Sequence, residues 1–149
     1  VKLNRDIDPN LASFDYIMNS VHSIYPLIEI HNLVFNGQEP HGSELLANNA
    51  VHAGVVLGHE TIISNDKIIT DLKLIYDDET IDIWTNKKWP EDILSQLKWL
   101  IDELSKNNKI LKKDDLILTG AYGFPVPIND KQFIKVSSSE FGSVEATFV

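Results

Sequence analysis

The chain has 149 residues, of which 43% are hydrophobic, and at this length a single domain can bury about 70% of its unfolded surface. Its 13 basic and 22 acidic residues give a net charge of −9, which argues against nucleic acid or an anionic membrane as a partner. The absence of cysteine excludes disulfides and thiolate chemistry, and no apolar run is long enough to span a bilayer. We therefore predict one domain over residues 1–149 of a cytoplasmic protein.

The N-terminal part of the chain predicts a short strand followed by a helix. Residues 1–8 alternate apolar and polar side chains, as a strand does. Apolar side chains then recur at three- and four-residue spacing over residues 11–24, which predicts the first of two main helices. Tyr25-Pro26 ends this helix, and His22 falls near its C-terminal end, where we assign it a structural role.

The stretch over residues 27–35 (LIEIHNLVF) predicts a strand that carries isolated polar side chains. Glu29 lies between two isoleucines, where a buried carboxylate needs a cationic partner, a metal ion or a water-filled cleft. His31 is two residues further on and therefore lies on the same face of an extended strand. Taken alone, an exposed strand face with ordinary polar residues is the simpler interpretation of this pair.

The rest of the chain predicts hairpins around a second main helix. Residues 90–106 carry one apolar stripe, with acidic residues at the start and a lysine at the end, so we predict a helix there and assign the stripe to core packing. Residues 115–119 predict a buried strand that ends at Thr119-Gly120. The other predicted strands are 53–57, 60–64, 67–76, 80–85, 133–137 and 142–149, with turns at 65–66, 77–79 and 129–130.

Several of these segments occur in an order that is typical of one enzyme family. Residues 27–35 resemble a family strand with an isolated glutamate (E-I-x-D-S-R), and residues 46–58 (LANNAVHAGVVLG) resemble its A-D-N segment and the following V-L-G strand. The family's closing segments L-T-G, V-x-x-G-D and L-G-S-V-x-x-x-F are similar to LILTG at 116–120, PVPIND at 125–130 and FGSVEATF at 141–148. The chain thus resembles the C-terminal part of the 2-keto-4-pentenoate hydratase family of the fumarylacetoacetate hydrolase superfamily.

This resemblance implies both a fold and a site. The implied fold is α+β, a mixed β-roll or distorted barrel with two main helices, as in the C-terminal region of fumarylacetoacetate hydrolase. Family members hold Mg²⁺ or Mn²⁺ with three carboxylates, and the ion binds a 2-oxo acid and stabilises its enolate. By the same resemblance, Glu29 corresponds to one metal carboxylate, whereas Asn48, Thr119 and Gly120 correspond to substrate-binding positions.

The chain also departs from the family's motifs in ways that predict an incomplete or impaired site. The family's E-x-E motif and catalytic lysine would both lie upstream of Val1, its D-S-R triplet is replaced by Asn32-Leu33-Val34, and the acid of A-D-N is replaced by Asn48. If a metal binds without the missing carboxylates, His31 is the substitute ligand that we expect, because imidazole suits Mn²⁺, Zn²⁺ or Ni²⁺ better than Mg²⁺. His41, Glu44 and His52 are assigned structural roles.

Two functions follow from the resemblance, and the sequence leaves both open. The first is a metal-dependent lyase, a hydratase or decarboxylase of 2-oxo acids that is incomplete in this chain. The second is a non-catalytic relative that keeps the fold for binding or assembly. The expected partners are a small 2-oxo acid, if the chain is active, and either a second copy of the chain or a segment upstream of residue 1. We further predict that Glu29 and His31 point into one cleft close to residues 46–49 and to Thr119-Gly120.

Overall fold

The structure is a computed structural model that describes residues 1–36, 40–63, 66–130 and 132–149. Within these ranges the fold is α+β, as predicted, with short strands in the first half, longer strands in the second half and one long helix. The strands are β1 (Lys2–Leu3), β2 (Val21–Ile24), β3 (Leu27–His31), β4 (His52–Leu57), β5 (Thr61–Ile62), β6 (Ile68–Tyr76), β7 (Glu79–Trp89), β8 (Phe133–Ser138) and β9 (Gly142–Thr147). The helices are α1 (Phe14–Met18), α2 (Ser43–Ala47) and α3 (Glu91–Ser105), with 3₁₀ turns at Pro9–Leu11 and Asn49–Val51.

The described strands form three antiparallel sheets. Their strand orders are β1-β2-β5, β3-β4 and β7-β6-β8-β9. Each sheet is open in the part of the chain that the structure describes, so the predicted distorted barrel is wrong.

The predicted first helix is much shorter than its apolar spacing suggested. Ser13 caps α1 through its side chain, and the helix ends at Met18. Ser20 then donates its hydroxyl to the carbonyl of Tyr16, a local bond that competes with further helix formation. Residues 21–24, which include two β-branched side chains, form β2 between β1 and β5 instead. The prediction of two main helices is therefore wrong, and His22 lies exposed on a strand rather than at a helix end.

The helix α3 confirms the prediction for residues 90–106 and covers the larger of two hydrophobic cores. Its buried stripe consists of Leu94, Leu97 and Ile101, and the helix packs against α1 and β7. The other buried members of this core are Val1, Leu3, Ile7, Ala12, Ile17, Met18, Val21, Ile24, Trp89, Leu111, Ile117 and Phe141. None of the described helices is long and apolar enough to span a membrane.

A second, smaller core lies between β3 and the four-stranded sheet. Ile28 on β3 packs there with Ile134 on β8 and Val144 on β9. Because successive side chains of a strand point to opposite faces, burial of Ile28 directs its neighbour Glu29 to the other face of β3. This second core therefore fixes the orientation of the strand that carries the candidate site.

Several predicted strands have different bounds in the structure. The strand predicted over residues 27–35 ends at His31, and the strand predicted over residues 115–119 is reduced to one bridge between Leu116 and Lys2. Beside this bridge, the Ile117 N–H donates a hydrogen bond to the carbonyl of Val1, the residue before β1, at 2.8 Å. The turn predicted at 65–66 and the end of the strand predicted at 60–64 lie partly outside the described residues.

Gly58, directly after β4, is a position where the backbone leaves no room for a side chain. A Cβ there would lie 2.8 Å from Pro26 Cγ and 2.8 Å from the Ser143 carbonyl oxygen. We therefore expect Gly58→Ala to lower the free energy of unfolding by about 1–3 kcal/mol, measured by urea denaturation. Gly54→Ala within β4 is the control, since a Cβ there meets nothing within 4 Å. Equal stability of the two variants would contradict this packing.

Candidate functional site

The two-stranded sheet β3-β4 brings Glu29, His31 and His52 together. In its register, Glu29 pairs with Val55 and His31 pairs with His52, and the pairing shifts between Ile30 and His31. Side chains that lie opposite or diagonally across an antiparallel pair are close enough to interact. The sheet thus places two imidazoles around one carboxylate, which is the cluster that we call the Glu29 site.

His52 is the principal partner of Glu29 in this site. His52 Nδ1 lies 2.8 Å from Glu29 Oε1, and His31 Nε2 lies 3.5 Å from the same oxygen. All three side chains are about one-third exposed, so the cluster is open to solvent on one side. A carboxylate oxygen accepts hydrogen bonds, so the Nδ1–H of His52 donates this one.

A strained turn leads directly into His52. Asn49, Ala50 and Val51 have φ values of 50°, 54° and 56°, in the left-handed region that non-glycine residues rarely adopt. The turn is held by the Val51 N–H, which donates to the Asn48 carbonyl at 3.0 Å, and by the Asn32 N–H, which donates to the Val51 carbonyl at 2.9 Å. Three such residues in a row, one of them β-branched, store strain that the surrounding hydrogen bonds must offset.

Asn48, a predicted substrate-binding residue, lies at the start of this turn. It is the C-terminal cap of α2, and its backbone N–H donates to the Glu44 carbonyl at 3.1 Å. Its side chain is half-buried. The structure thus places Asn48 four residues before His52, and its contact with substrate remains a prediction.

Thr119 and Gly120 line a cavity of about 250 Å³ beside α3. Gly120 has a φ of +91°, a conformation that favours glycine, and no atom lies within 4 Å of the Cβ that another residue would add. The remaining lining residues are Gln96, Leu97, Trp99, Leu100, Ile117 and Leu118. Glu29, His31 and Asn48 are not among them, so the predicted cleft shared by all these residues stays a prediction.

The loop that follows Gly120 is anchored on β7 by aromatic contacts. The rings of Tyr122 and Trp84 lie 6.5 Å apart, and Lys87 Nζ lies 4.5 Å from the centre of the Tyr122 ring. Gly123 approaches Trp84 so closely that a Cβ would lie 2.5 Å from Trp84 Cζ2. Burial, and secondarily the charge of Asp92, raise the pKa of the Tyr122 hydroxyl. These contacts fix the segment that carries Gly120.

The described residues do not fit a magnesium ion. Among the described residues, no group of three or more His, Cys, Asp or Glu side chains is arranged to hold a metal. Glu29 Oε1 already accepts a hydrogen bond from His52, and Mg²⁺ prefers hard oxygen ligands to imidazole. Glu29 with His31 as a substitute ligand therefore does not by itself make a metal site in this chain.

Comparison with solved structures finds a similar fold in one decarboxylase. No family model matches the chain. Its fold is similar to that of 4-oxalocrotonate decarboxylase from Pseudomonas putida G7 complexed with magnesium and adipate, with a TM-score of 0.87 and 15% identity. The same decarboxylase complexed with calcium and acetate gives a TM-score of 0.83 and 16% identity. Each match covers 100% of this chain and 57% of the decarboxylase chain.

These matches confirm the resemblance at the level of the fold. The decarboxylase belongs to the fumarylacetoacetate hydrolase superfamily, and the match is consistent with a C-terminal part of that fold, as the order of the sequence motifs predicted. The chain spans less than two thirds of the structures that it matches.

Proposed function

We propose that this chain corresponds to the C-terminal part of a lyase that acts on 2-oxo acids, either a hydratase or a decarboxylase. We further propose that its active site is incomplete in the 149-residue polypeptide. The observation that supports this most is the similarity of the whole chain, at a TM-score of 0.87, to a decarboxylase complexed with magnesium and a dicarboxylate. Glu29 is the one carboxylate that the sequence resemblance assigns to such a site.

In this proposal the chain's own residues bind and orient the acid rather than complete the chemistry. Thr119 and Gly120 offer backbone groups and open space beside the α3 cavity, and Asn48 offers an amide that both donates and accepts. Glu29 accepts a hydrogen bond from His52. Binding of Mg²⁺ or Mn²⁺ would therefore need further carboxylates from outside the described residues.

A non-catalytic relative that uses the fold for binding or assembly is the second candidate. It is favoured by large apolar side chains that are strongly exposed after β3, on α2 and in the loop after Gly120. Their exposed fractions are 63% for Leu33, 53% for Val34, 85% for Leu46 and 95% for Phe124. Exposed apolar patches on soluble proteins mark contact surfaces, and here the contact would be with a second copy or with an upstream segment.

We expect the 149-residue polypeptide to show no hydration of 2-hydroxypenta-2,4-dienoate above the uncatalysed rate and only weak binding of Mg²⁺. Each missing charge or proton-transfer group costs about 10²-fold in rate, and Mg²⁺ needs more carboxylate oxygens than Glu29 provides. Loss of the diene absorbance in the presence of Mg²⁺ or Mn²⁺ measures hydration, and calorimetric titration measures the binding of Mg²⁺.

The control for this assay is Glu29→Gln, which should leave the absence of turnover and the weak Mg²⁺ binding unchanged. Turnover at ordinary enzyme rates by the unaltered chain, lost in Glu29→Gln, would show that other residues complete the site and would overturn the incomplete-site proposal.

A further inference from the structure

We propose that the outer edge of β7 pairs with β7 of a second copy of this chain, so that two four-stranded sheets join into one continuous sheet. The two strands run antiparallel about a two-fold axis that passes beside Ile83. This pairing involves neither the Glu29 site nor the exposed apolar side chains after β3, and it does not depend on the proposed enzymatic function.

The first observation is that β7 is a long outer strand with a free edge. It lies at one end of the strand order β7-β6-β8-β9, whereas β9, at the other end, packs against β3 and β4. In the part of the chain that the structure describes, no backbone hydrogen bond joins β7 to any strand except β6. A free strand edge can pair with a strand of another chain, and here its side chains include Ile81 and Ile83, which are 45% and 49% exposed.

The second observation places the centre of the pairing at Ile83. The Ile83 N–H donates to the side chain of its neighbour Asp82 at 2.8 Å, so it points away from β6 and toward the free edge. In an antiparallel ladder, residues that exchange two backbone hydrogen bonds alternate with residues that exchange none. Ile83 can therefore exchange both bonds with Ile83 of a second copy, whose carbonyl replaces the Asp82 carboxylate as the acceptor.

The third observation is that the two arms of β7 on either side of Ile83 have the same length along the ladder. From Ile83 to Glu79, β7 advances four residues while β6 advances three. From Ile83 to Lys87, β7 again advances four residues while β6 advances three. Each arm thus contains one extra residue, a β-bulge, and the bulges keep the two arms in step when one arm lies against the other.

The register that follows from these two observations brings opposite charges together. Glu79 lies opposite Lys87 of the second copy, and the two-fold axis repeats this pair at the other end of the interface. The two side chains lie on one face of the joined sheet, because their β6 partners Tyr76 and Thr70 are an even number of positions apart. The Tyr122 ring holds the Lys87 ammonium 4.5 Å from its centre without neutralising it. Charge complementarity therefore favours a second copy as the partner of this edge.

Sedimentation of the unaltered chain over a concentration series tests the proposal. We expect the mean mass to rise with concentration from the 16.8 kDa of one chain toward the mass of two. Ile83→Lys should stay at the mass of one chain, because it places two like charges side by side at the centre of the interface. Ile62→Lys is the matched control, since it makes the same change at a side chain that is 61% exposed on β5, and it should associate like the unaltered chain.

An exchange of charges tests the register. Glu79→Lys and Lys87→Glu should each weaken the dimer about tenfold, because each variant turns two attractive pairs into repulsive pairs. The double variant Glu79→Lys/Lys87→Glu should restore the affinity of the unaltered chain. Within one chain these residues lie toward opposite ends of β7, so the rescue reports a contact between copies.

The outcomes decide the proposal at two levels. A mass of one chain at every concentration of the unaltered chain would overturn it, and this measurement needs no variant to fold. A dimer that persists in Ile83→Lys, with folding checked by circular dichroism, would overturn the pairing through β7. A double variant that associates as weakly as the single variants would overturn the register.

Discussion

Leu97→Ala is expected to lower the free energy of unfolding by about 3 kcal/mol, the typical cost of emptying a leucine site in a well-packed core. Leu97 is 1% exposed and lies on the buried stripe of α3, in the larger core. The loss combines the transfer free energy of the side chain with the cavity left behind, because neighbouring side chains relax only in part. Urea denaturation followed by circular dichroism measures the effect.

Leu46→Ala is the matched control for this variant, since it makes the same chemical change at a side chain that is 85% exposed. We expect its free energy of unfolding to stay within about 0.5 kcal/mol of the unaltered chain. Equal destabilisation by the two substitutions would mean that α3 does not cover the larger core.

For a polypeptide that begins at Val1, stability is expected to fall by about 2 kcal/mol between about pH 8.5 and about pH 5.5. Burial lowers the pKa of the Val1 ammonium from 8.0 to about 6, and Val1 is only 4% exposed. Above pH 8 the amine is neutral in both states, so burial has no electrostatic cost. As the pH falls toward 6, the unfolded chain binds a proton that the folded chain does not, and the folded state loses stability.

The matched control for this prediction is the N-acetylated chain. Acetylation removes the titration but keeps the N–H that donates to the Ile117 carbonyl at 2.8 Å. All other titratable groups are common to both forms, so the difference between the two pH profiles isolates Val1. The hydroxyls of Ser23 and Tyr25 lower the pKa of Glu60, and the stability from Glu60 is lost only below about pH 4.5, outside this window. Identical profiles for the two forms would contradict the burial of the ammonium.

The helices show how far a local pattern predicts this fold. The stripe over residues 90–106 repeats through four turns and is flanked by complementary charges, so it predicts α3 closely. The apolar spacing over residues 11–24 is just as regular, but it is divided between α1 and β2. That division depends on pairing of β2 with β1 and with β5, which are distant in sequence, and a local pattern does not contain these contacts.

The candidate site was predictable only in part for the same reason. The two-residue spacing of Glu29 and His31 predicts that they share a face, and the structure places them 3.5 Å apart. The role of His52 depends on a register shift between β3 and β4 and on a left-handed turn without glycine, and neither has a signal in the sequence. The position of His52, directly before the strand predicted over residues 53–57, was the one available hint.

The packing of Tyr122 against Trp84 and Lys87 was also missed. Trp84 and Tyr122 are 38 positions apart in the sequence, and their contact depends on how the loop after Gly120 returns to β7. The glycine and proline residues of this segment predicted an irregular loop, but they did not predict that the loop packs on β7.

The pairing of His52 with Glu29 is the central claim, and NMR of the histidine ring nitrogens tests it most directly. We predict that the Nδ1 signal of His52 shows a hydrogen bond to the Glu29 carboxylate, that Glu29→Ala removes this bond, and that added Mg²⁺ leaves the ring signals unchanged. A His52 Nδ1 signal that shows no hydrogen bond in the unaltered chain, or His52 ring signals that move as Mg²⁺ binds, would contradict the claim.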